Sequence, residues 1–598
     1  MFTSRTAPYF RKQSPTGLAR SIENGADRAG VPDRRTREPV GGSECRTRAY
    51  GPYSAVVSAA LAARTPVAPS RSAGLLRPTR SLTLILAVVG GLVTDTAFPQ
   101  RSWWPLAFVG VGLLVLALGR DSARWNALVA WLWGLAFFLP HIWWANAAVG
   151  VIPWLALSVA EAGIIAAGAA VWTWSRRARW WRRRPILLGL GFSLVWVVTE
   201  QVRQVWPFGG FPWGRLAFSQ TDGPLLPFAA VAGAPAVSFV TALCAFLLAH
   251  MVTALAGSGT ASTRTRTRTA APSAVMIVAV LAGGLLVPTP TAAESGNLRV
   301  AAVQGNVSEP GLGAFANARE VLNNHVDGTI ALAEQEGSDA LDVVLWPENS
   351  SDINPRADAD AAALLDEAAS AAGAPILFGT DSYGQDTDGE DARFNDMVLW
   401  IEGEGATFSY SKQIPAAFAE YIPIREVARM FSPAVDLVRT DMAPGQEIAV
   451  VPVPVERLGR PVPLGTVICF EVAYDALIRE AALGGAELLV VPTNNASFGY
   501  TAESEQQLAM SRLRAVEHGR ATVQISTVGV SGVIAADGTV LERTELFTPA
   551  TMTAELPLRT SLTVADRLGD WPIGVATVLV MLAFAVGVVT GRKPRTGA

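Results

Sequence analysis

Cysteine and histidine are scarce in this sequence, with three cysteines and four histidines among 598 residues. Cys45 lies in a polar tail, Cys244 in an apolar run and Cys469 in a segment of ordinary soluble composition. Settings so different exclude a disulfide framework. His141, His250, His325 and His518 show no ligand spacing, so neither a metal nor another cofactor is expected. Charge is scarce too. Charged residues make up 17% of the chain, against about 25% in an average soluble domain. The net charge of −3 offers no basic surface for nucleic acid.

Long apolar runs stand where the charges are missing. Seven lie near 81–98, 104–119, 125–147, 151–174, 185–203, 225–256 and 273–289, and an eighth lies near 571–591. Crossing a bilayer takes about 20 apolar residues, so these runs predict eight transmembrane helices, seven of them within 80–290. Arginine falls in alternate loops. One set holds Arg71, Arg77 and Arg80, then Arg120 and Arg124, then Arg176, Arg177, Arg179, Arg182, Arg183 and Arg184, then Arg264, Arg266 and Arg268, then Arg592, Lys593 and Arg595. The other set is nearly bare, with Arg101 and Arg215. The alternation requires all eight runs to cross. It puts both termini in the cytoplasm and residues 295–565 outside the cell membrane. Trp103, Trp104, Trp143, Trp144, Trp206 and Trp213 fall near outward helix ends, as an anchoring aromatic belt would. Residues 1–79 are rich in Arg, Pro, Gly, Ser and Ala without periodicity, which predicts a disordered cytoplasmic tail, and 592–598 form a second short tail.

Residues 295–562 alternate short β-rich runs with helical stretches. Strands are predicted at Leu298–Gln304, Val343–Trp346, Ile376–Gly379, Met397–Trp400, Thr407–Ser411, Leu464–Cys469, Leu489–Pro492, Thr522–Thr527 and Gly532–Ala535, and helices near 313–336, 358–371, 473–483 and 502–518. Apolar strands between amphipathic helices give a layered α/β domain. Three segments set a reactive side chain at or just past a strand end. They are Trp346-Pro347-Glu348, Tyr410-Ser411-Lys412 and Val467-Ile468-Cys469-Phe470-Glu471. Taken singly, each has an ordinary reading: a turn carboxylate, a solvated lysine and a small buried hydrophobe. Taken together they supply a base, a cation and a nucleophile at one sheet rim. A neighbouring ammonium is expected to lower the thiol pKa from about 8.5, with the carboxylate taking the proton.

These three segments, with Phe418-Ala419-Glu420-Tyr421-Ile422-Pro423, resemble the Glu-Lys-Cys set of the nitrilase (carbon-nitrogen hydrolase) superfamily. Within it the chain is similar to the apolipoprotein N-acyltransferase family over about 80–598. Val303-Gln304-Gly305-Asn306, Phe394-Asn395 ahead of a strand, Pro492-Thr493-Asn494-Asn495-Ala496, Met510–Arg520 and Gly210-Phe211-Pro212-Trp213 add to the likeness. Ile414, Ala416, Ala417, Ala419 and Phe470 depart from that family's usual residues. The Ala-, Arg- and Gly-rich composition is compatible with an actinobacterial source.

The resemblance implies an αββα sandwich outside the membrane, followed by the eighth helix. It implies acyl transfer from a phospholipid donor to the N-terminal amine of a diacylglyceryl-apolipoprotein acceptor. Cys469 would be the nucleophile, Glu348 the base and Lys412 the oxyanion partner, with Glu420, Glu471 and Asn395 in support. Two other readings stay open on sequence. One is a membrane-tethered amidase that passes the thioester to water. The other is a non-catalytic partner of a polyprenol-phosphate glycosyltransferase.

Overall fold

Apolar composition and membrane-length helices coincide through the first half of the chain. The computed structural model describes residues 78–178, 184–256, 262–308, 319–337 and 340–591. The tails expected over 1–79 and 592–598 lie outside the described residues, apart from positions 78 and 79. Among the described residues, eight α-helices precede the first strand: α1 (Arg80–Asp95), α2 (Leu106–Ala117), α3 (Ala123–His141), α4 (Trp143–Val149), α5 (Val151–Ser175), α6 (Pro185–Val205), α7 (Ala229–Ala256) and α8 (Thr263–Leu285).

Length separates these helices. α5, α6, the stretch Leu226–Ala256 containing α7, α8 and the final helix are each long and apolar enough to cross a membrane. α3 and α4 make a sixth span if the pair, bent by 57°, is one crossing, while α2 has only 12 residues. Close approach of α1 and α2 depends on glycine. A Cβ on Gly110 would fall 2.1 Å from the Thr94 hydroxyl. Ile85, Val275, Val278 and Leu285 are exposed, as residues facing lipid would be.

The described residues of the second half hold twelve strands: β1 (Asn297–Gln304), then α9 (Glu320–Glu336), β2 (Val343–Leu345), α10 (Ala359–Ala372), β3 (Ile376–Gln385), β4 (Asp391–Ile401), β5 (Gly405–Ser411), α11 (Arg425–Arg429), β6 (Val450–Val455), β7 (Arg460–Thr466), α12 (Asp475–Leu483), β8 (Leu488–Thr493), α13 (Glu503–His518), β9 (Thr522–Ser526), β10 (Gly532–Ile534), β11 (Val540–Arg543) and β12 (Ala550–Pro557). α14 (Val564–Leu568) and α15 (Trp571–Gly591) follow.

The strands form two six-stranded sheets, ordered β12-β1-β2-β3-β4-β5 and β11-β10-β9-β8-β7-β6. Both are mixed, with β1-β2-β3 and β7-β8-β9 parallel. Alternate residues of β1 serve two cores. Leu298, Val300 and Ala302 join Val490 and Ile525 between the sheets, while Ala301 and Val303 pack with Leu322 of α9 and Leu365 of α10. Burial on both faces is what makes these strands continuous apolar runs. The result is the αββα sandwich that the resemblance implied.

Three sequence expectations need correction. The strand expected to run through Cys469 ends at Thr466, because Ile468 and Cys469 turn away into a short 3-10 turn, Cys469–Ala473. Asn395 lies inside β4 rather than ahead of it, since β3 and β4 pair as one long hairpin from Ile376–Trp400 out to Gln385–Asp391. Of the helix expected near 313–336, residues 313–318 lie outside the described residues, and Glu320–Glu336 is helical. The aromatic belt divides: Trp103, Trp143 and Trp206 are exposed, but Trp144 and Trp213 are buried.

Candidate active site

Proline ends the first strand that carries a site residue. Pro347 lacks an N–H for the ladder, and the chain leaves β2 with Trp346 turned toward the helical layer, its Nε1 donating to Thr329 Oγ1 at 2.9 Å. Glu348 is left at the strand rim and buried. The neighbouring strand makes room: a Cβ on Gly379 would lie 2.6 Å from Pro347 O and 2.8 Å from Glu348 Cα. Lys412 is the first residue after β5, and its amide donates to Asn395 O at 2.8 Å. Cys469 opens its turn with φ +56°, a conformation side chains rarely adopt. Strained backbone of this kind collects at functional sites.

The structure brings Glu348, Lys412 and Cys469 together. Lys412 Nζ donates to Glu348 Oε1 at 3.2 Å and to Glu420 Oε1 at 2.7 Å. Asn395 Nδ2 donates to the same Glu348 Oε1 at 2.7 Å, and the Asn494 amide to Oε2 at 2.8 Å. Burial disfavours the Lys412 charge, but Glu348, Glu420 and Cys469 outweigh it and raise its pKa well above the usual lysine range. Lys412 is therefore an ammonium with two of its three hydrogens committed.

Cys469 corrects an expectation. Burial is the largest influence on the thiol, Glu348 adds to it, and together they exceed the downward pull of Lys412, so its pKa stands well above the usual value. The resting sulfur is a protonated thiol rather than a thiolate. Attack would therefore require a base at the moment of reaction, and of the two carboxyl groups whose charge acts on the thiol, Glu348 acts the more strongly and Glu503 the less.

Glu471 ties two loops. Oε1 accepts from the Gln413 amide at 2.7 Å and the Ile414 amide at 3.0 Å, and Oε2 accepts from the Ile468 amide at 2.7 Å and the Tyr410 hydroxyl at 3.1 Å. One carboxylate thus fixes the chain after Lys412 to the chain before Cys469. Burial pushes Glu471 up to about 7 against Lys412 and these amides. Glu420 braces its own loop, with Oε2 accepting from the Ala416 amide at 2.6 Å.

Trp144 and Trp213 lie beside this site. Their indole N–H groups donate to Gln506 Oε1 at 3.1 and 2.6 Å, and Gln506 Nε2 donates to His141 O at 3.0 Å. Phe470, next to the cysteine, packs against both rings at 5.6 and 4.8 Å. Tyr474 and Tyr421 add hydrogen bonds to the carbonyls of Gly210 and Phe208. The loop after α6 is thus seated on the cysteine turn. Sequence reading missed Gln506, Thr493 as a sulfur contact, and Gln507. Thr493 lies in a motif already noted, whereas no local signal marks the two glutamines.

Two family models match the chain: the apolipoprotein N-acyltransferase N-terminal domain over residues 90–247 and carbon-nitrogen hydrolase over 299–565. An apolipoprotein N-acyltransferase of Mycolicibacterium smegmatis is 39% identical over 529 residues, covering 85% of each chain. One from Azotobacter vinelandii is 30% identical over 511 residues, covering 83% of this chain and 93% of that one. Among solved structures, an amidase of the nitrilase superfamily from Nesterenkonia AN1 is 16% identical with a TM-score of 0.34, covering 48% of this chain and 99% of that one. The glycosyltransferase-partner reading finds no support among these matches. On identity sustained through both the helical and the layered halves, the chain belongs to the apolipoprotein N-acyltransferase family.

Proposed function

We propose that this protein moves a fatty acyl group from a membrane phospholipid to the α-amino group of a diacylglyceryl-cysteine at an apolipoprotein N-terminus, through a thioester on Cys469. The observation that carries the residue roles is the convergence of a buried thiol, ammonium and carboxylate, with Lys412 Nζ 3.2 Å from Glu348 Oε1 and electrostatically coupled to Cys469.

In the first half-reaction Glu348 takes the thiol proton as sulfur attacks the ester carbonyl. The third Lys412 N–H and a backbone amide of the cysteine turn hold the developing oxyanion. The C–O bond breaks, Glu348 returns the proton to the departing oxygen, and lysophospholipid leaves. In the second half-reaction the acceptor amine attacks the thioester, Glu348 takes the amine proton, and the thiol re-forms as the amide is released. An amide is more stable than a thioester, so no nucleotide is consumed. Asn395 and the Asn494 amide keep Glu348 aimed, and Glu420 and Glu471 hold the loops carrying Lys412 and Cys469.

Both substrates are lipid-anchored, and drawing a chain out of the bilayer costs about 0.8 kcal/mol per CH₂. We read residues 80–290 as a seven-helix membrane domain, 295–562 as the catalytic domain on the outer face, and 571–591 as an eighth crossing, with both termini cytoplasmic. The arginine alternation supports this, since it fails if any one crossing is dropped. Lipid contact near the site is supported by Ile424, Val427, Met430 and Phe431, all exposed on the loop that follows Glu420.

The test is transfer itself. Purified protein with labelled phospholipid and a diacylglyceryl-cysteine peptide is expected to yield N-acyl peptide. Glu348→Gln and Lys412→Met are each expected to lose roughly a hundredfold or more in rate, the scale of removing one transition-state group. Fatty acid released to water with no acyl peptide would instead identify a hydrolase.

A further inference from the structure

The Cys469 sulfur has two neighbours outside the three-residue set. Thr493 Oγ1, at the end of β8, lies 3.3 Å from Sγ, and Gln507 Nε2, on α13, lies 3.7 Å from it. Thr493 and Gln507 are buried. Hydrogen bonds around Gln507 set which end of its amide faces the sulfur. The Gly529 amide donates to Ser526 Oγ at 2.7 Å, and the Ser526 hydroxyl gives its hydrogen to Asn495 Oδ1 at 2.5 Å. Asn495 Nδ2 donates to Glu503 Oε2 at 2.6 Å and to Gln507 Oε1 at 3.0 Å. Gln507 turns its NH₂ toward Sγ. These bonds are mutually consistent, and such consistency is what assigns the ends of an amide.

Thr493 has one hydrogen and two acceptors: Sγ, and Gln507 Oε1 at 2.9 Å. Against a neutral thiol the shorter bond to Gln507 is the better one. Against a sulfur gaining negative charge, the hydroxyl turns to Sγ, because hydrogen bonds to charged acceptors are stronger.

We propose that Thr493 and Gln507 are further catalytic residues, a neutral donor pair that receives the charge on the Cys469 sulfur as Glu348 removes its proton, with Asn495 and Glu503 as the residues that position them. The pair would also stabilise the sulfur as leaving group when the acceptor amine displaces it from the acyl carbon. Neutral donors suit this place. A second cation would compete with Lys412 for Glu348 and weaken the base, whereas an amide and a hydroxyl favour the sulfur anion alone.

The proposal rests on Cys469 being the reactive thiol, and its test does not require acyl transfer. In the full-length protein carrying Cys45→Ala and Cys244→Ala, Cys469 is the one thiol, and its iodoacetamide alkylation rate at fixed pH reports the thiolate fraction. Gln507→Leu and Thr493→Val are each expected to slow alkylation roughly tenfold, the scale of a lost hydrogen bond to a charged group. Thr493→Ser, which keeps the hydroxyl, is expected to stay near the parent rate. The pH profile of alkylation should move alkaline in Thr493→Val and not in Thr493→Ser. Equal rates and profiles for Thr493→Val and Thr493→Ser would overturn the proposal. So would a folded Gln507→Leu that alkylates like the parent. Should Gln507→Leu not fold, the threonine pair decides. Normal alkylation effects with no acyl transfer would leave this proposal standing and remove the transferase reading.

Discussion

Cys469 sits where burial and the charges of Glu348 and Glu503 hold a proton on sulfur against the opposing pull of Lys412, and in the proposed mechanism Glu348 is the group that accepts it. Glu503 is one of those carboxylates. Burial, opposed by its bond from Asn495 and reinforced by Glu348, pushes it up to about 8. The sign of its effect on stability follows. An unfolded glutamate releases its proton near pH 4.3, while the folded one keeps it to about 8, so stability falls as pH rises across that window. Glu503→Gln removes the loss. Its unfolding temperature is expected to exceed the parent's by a margin that grows from pH 5 to pH 8 and then levels, checked by thermal unfolding in detergent. Glu471→Gln acts through geometry instead: an amide keeps one acceptor oxygen where the carboxyl has two, so it breaks ties to the amides of Gln413, Ile414 and Ile468, and a loss of about 1–3 kcal/mol is expected in chemical denaturation. Glu348, Lys412 and Cys469 were legible because each follows its own strand closely in a recognisable segment. Gln507 was not, because its contact with Cys469 joins residues 38 positions apart and no local pattern encodes such a distance.

Between elements, a buried ion network holds the loop after α6 against the start of α12. Arg215 Nη1 donates to both Asp475 oxygens at 2.7 and 2.8 Å, and Arg514 of α13 reaches Asp475 at 2.8 Å and the carbonyls of Val472 and Ala473 at 2.8 and 2.9 Å. Asp475 thus joins Arg215 of the loop after α6 to Arg514, which in turn holds the carbonyls of the cysteine turn. Burial opposes the Asp475 charge, but the two arginines lower its pKa to about 2. Its contribution is therefore fully present above the unfolded value near pH 3.9 and disappears as pH falls toward about 2. Asp475→Asn removes the carboxylate that two buried guanidinium groups share, leaving Arg514 with Glu517 and Arg215 with Glu200 at 3.9 Å, and about 3 kcal/mol of destabilisation is expected at neutral pH, shrinking in acid. The strands missed in the sequence share one trait. β6, β11 and β12 are sheet edges. β6 carries Pro452 and Pro454 set opposite Pro463 and Pro461, residues that argue against a central strand. β12 is only half-buried. The central strands, buried on both faces, were visible as apolar runs.

Over the whole molecule, composition separates the apolar helices from the layered domain, and arginine placement is the argument for the proposed orientation. Tyr383, exposed on the β3–β4 hairpin, offers a test of side. In a background lacking the native cysteines, Tyr383→Cys is expected to react with a membrane-impermeant maleimide in intact cells stripped of their wall, and labelling only after lysis would reverse the proposed topology. The length of individual helices was less legible than their positions. Eight apolar runs gave helices of which five, or six with the bent pair, have spanning length, because turns at Asp95, Ala117 and His141 cut the first three short. The central claim is that acyl groups pass through Cys469. Peptide mass spectrometry of the protein incubated with phospholipid alone is the direct measurement. A hydroxylamine-sensitive acyl mass on the Cys469 peptide, absent in Cys469→Ala and discharged by a diacylglyceryl-cysteine peptide, is the expected result. An acyl mass on any other residue, or transfer that persists in Cys469→Ala, would contradict it.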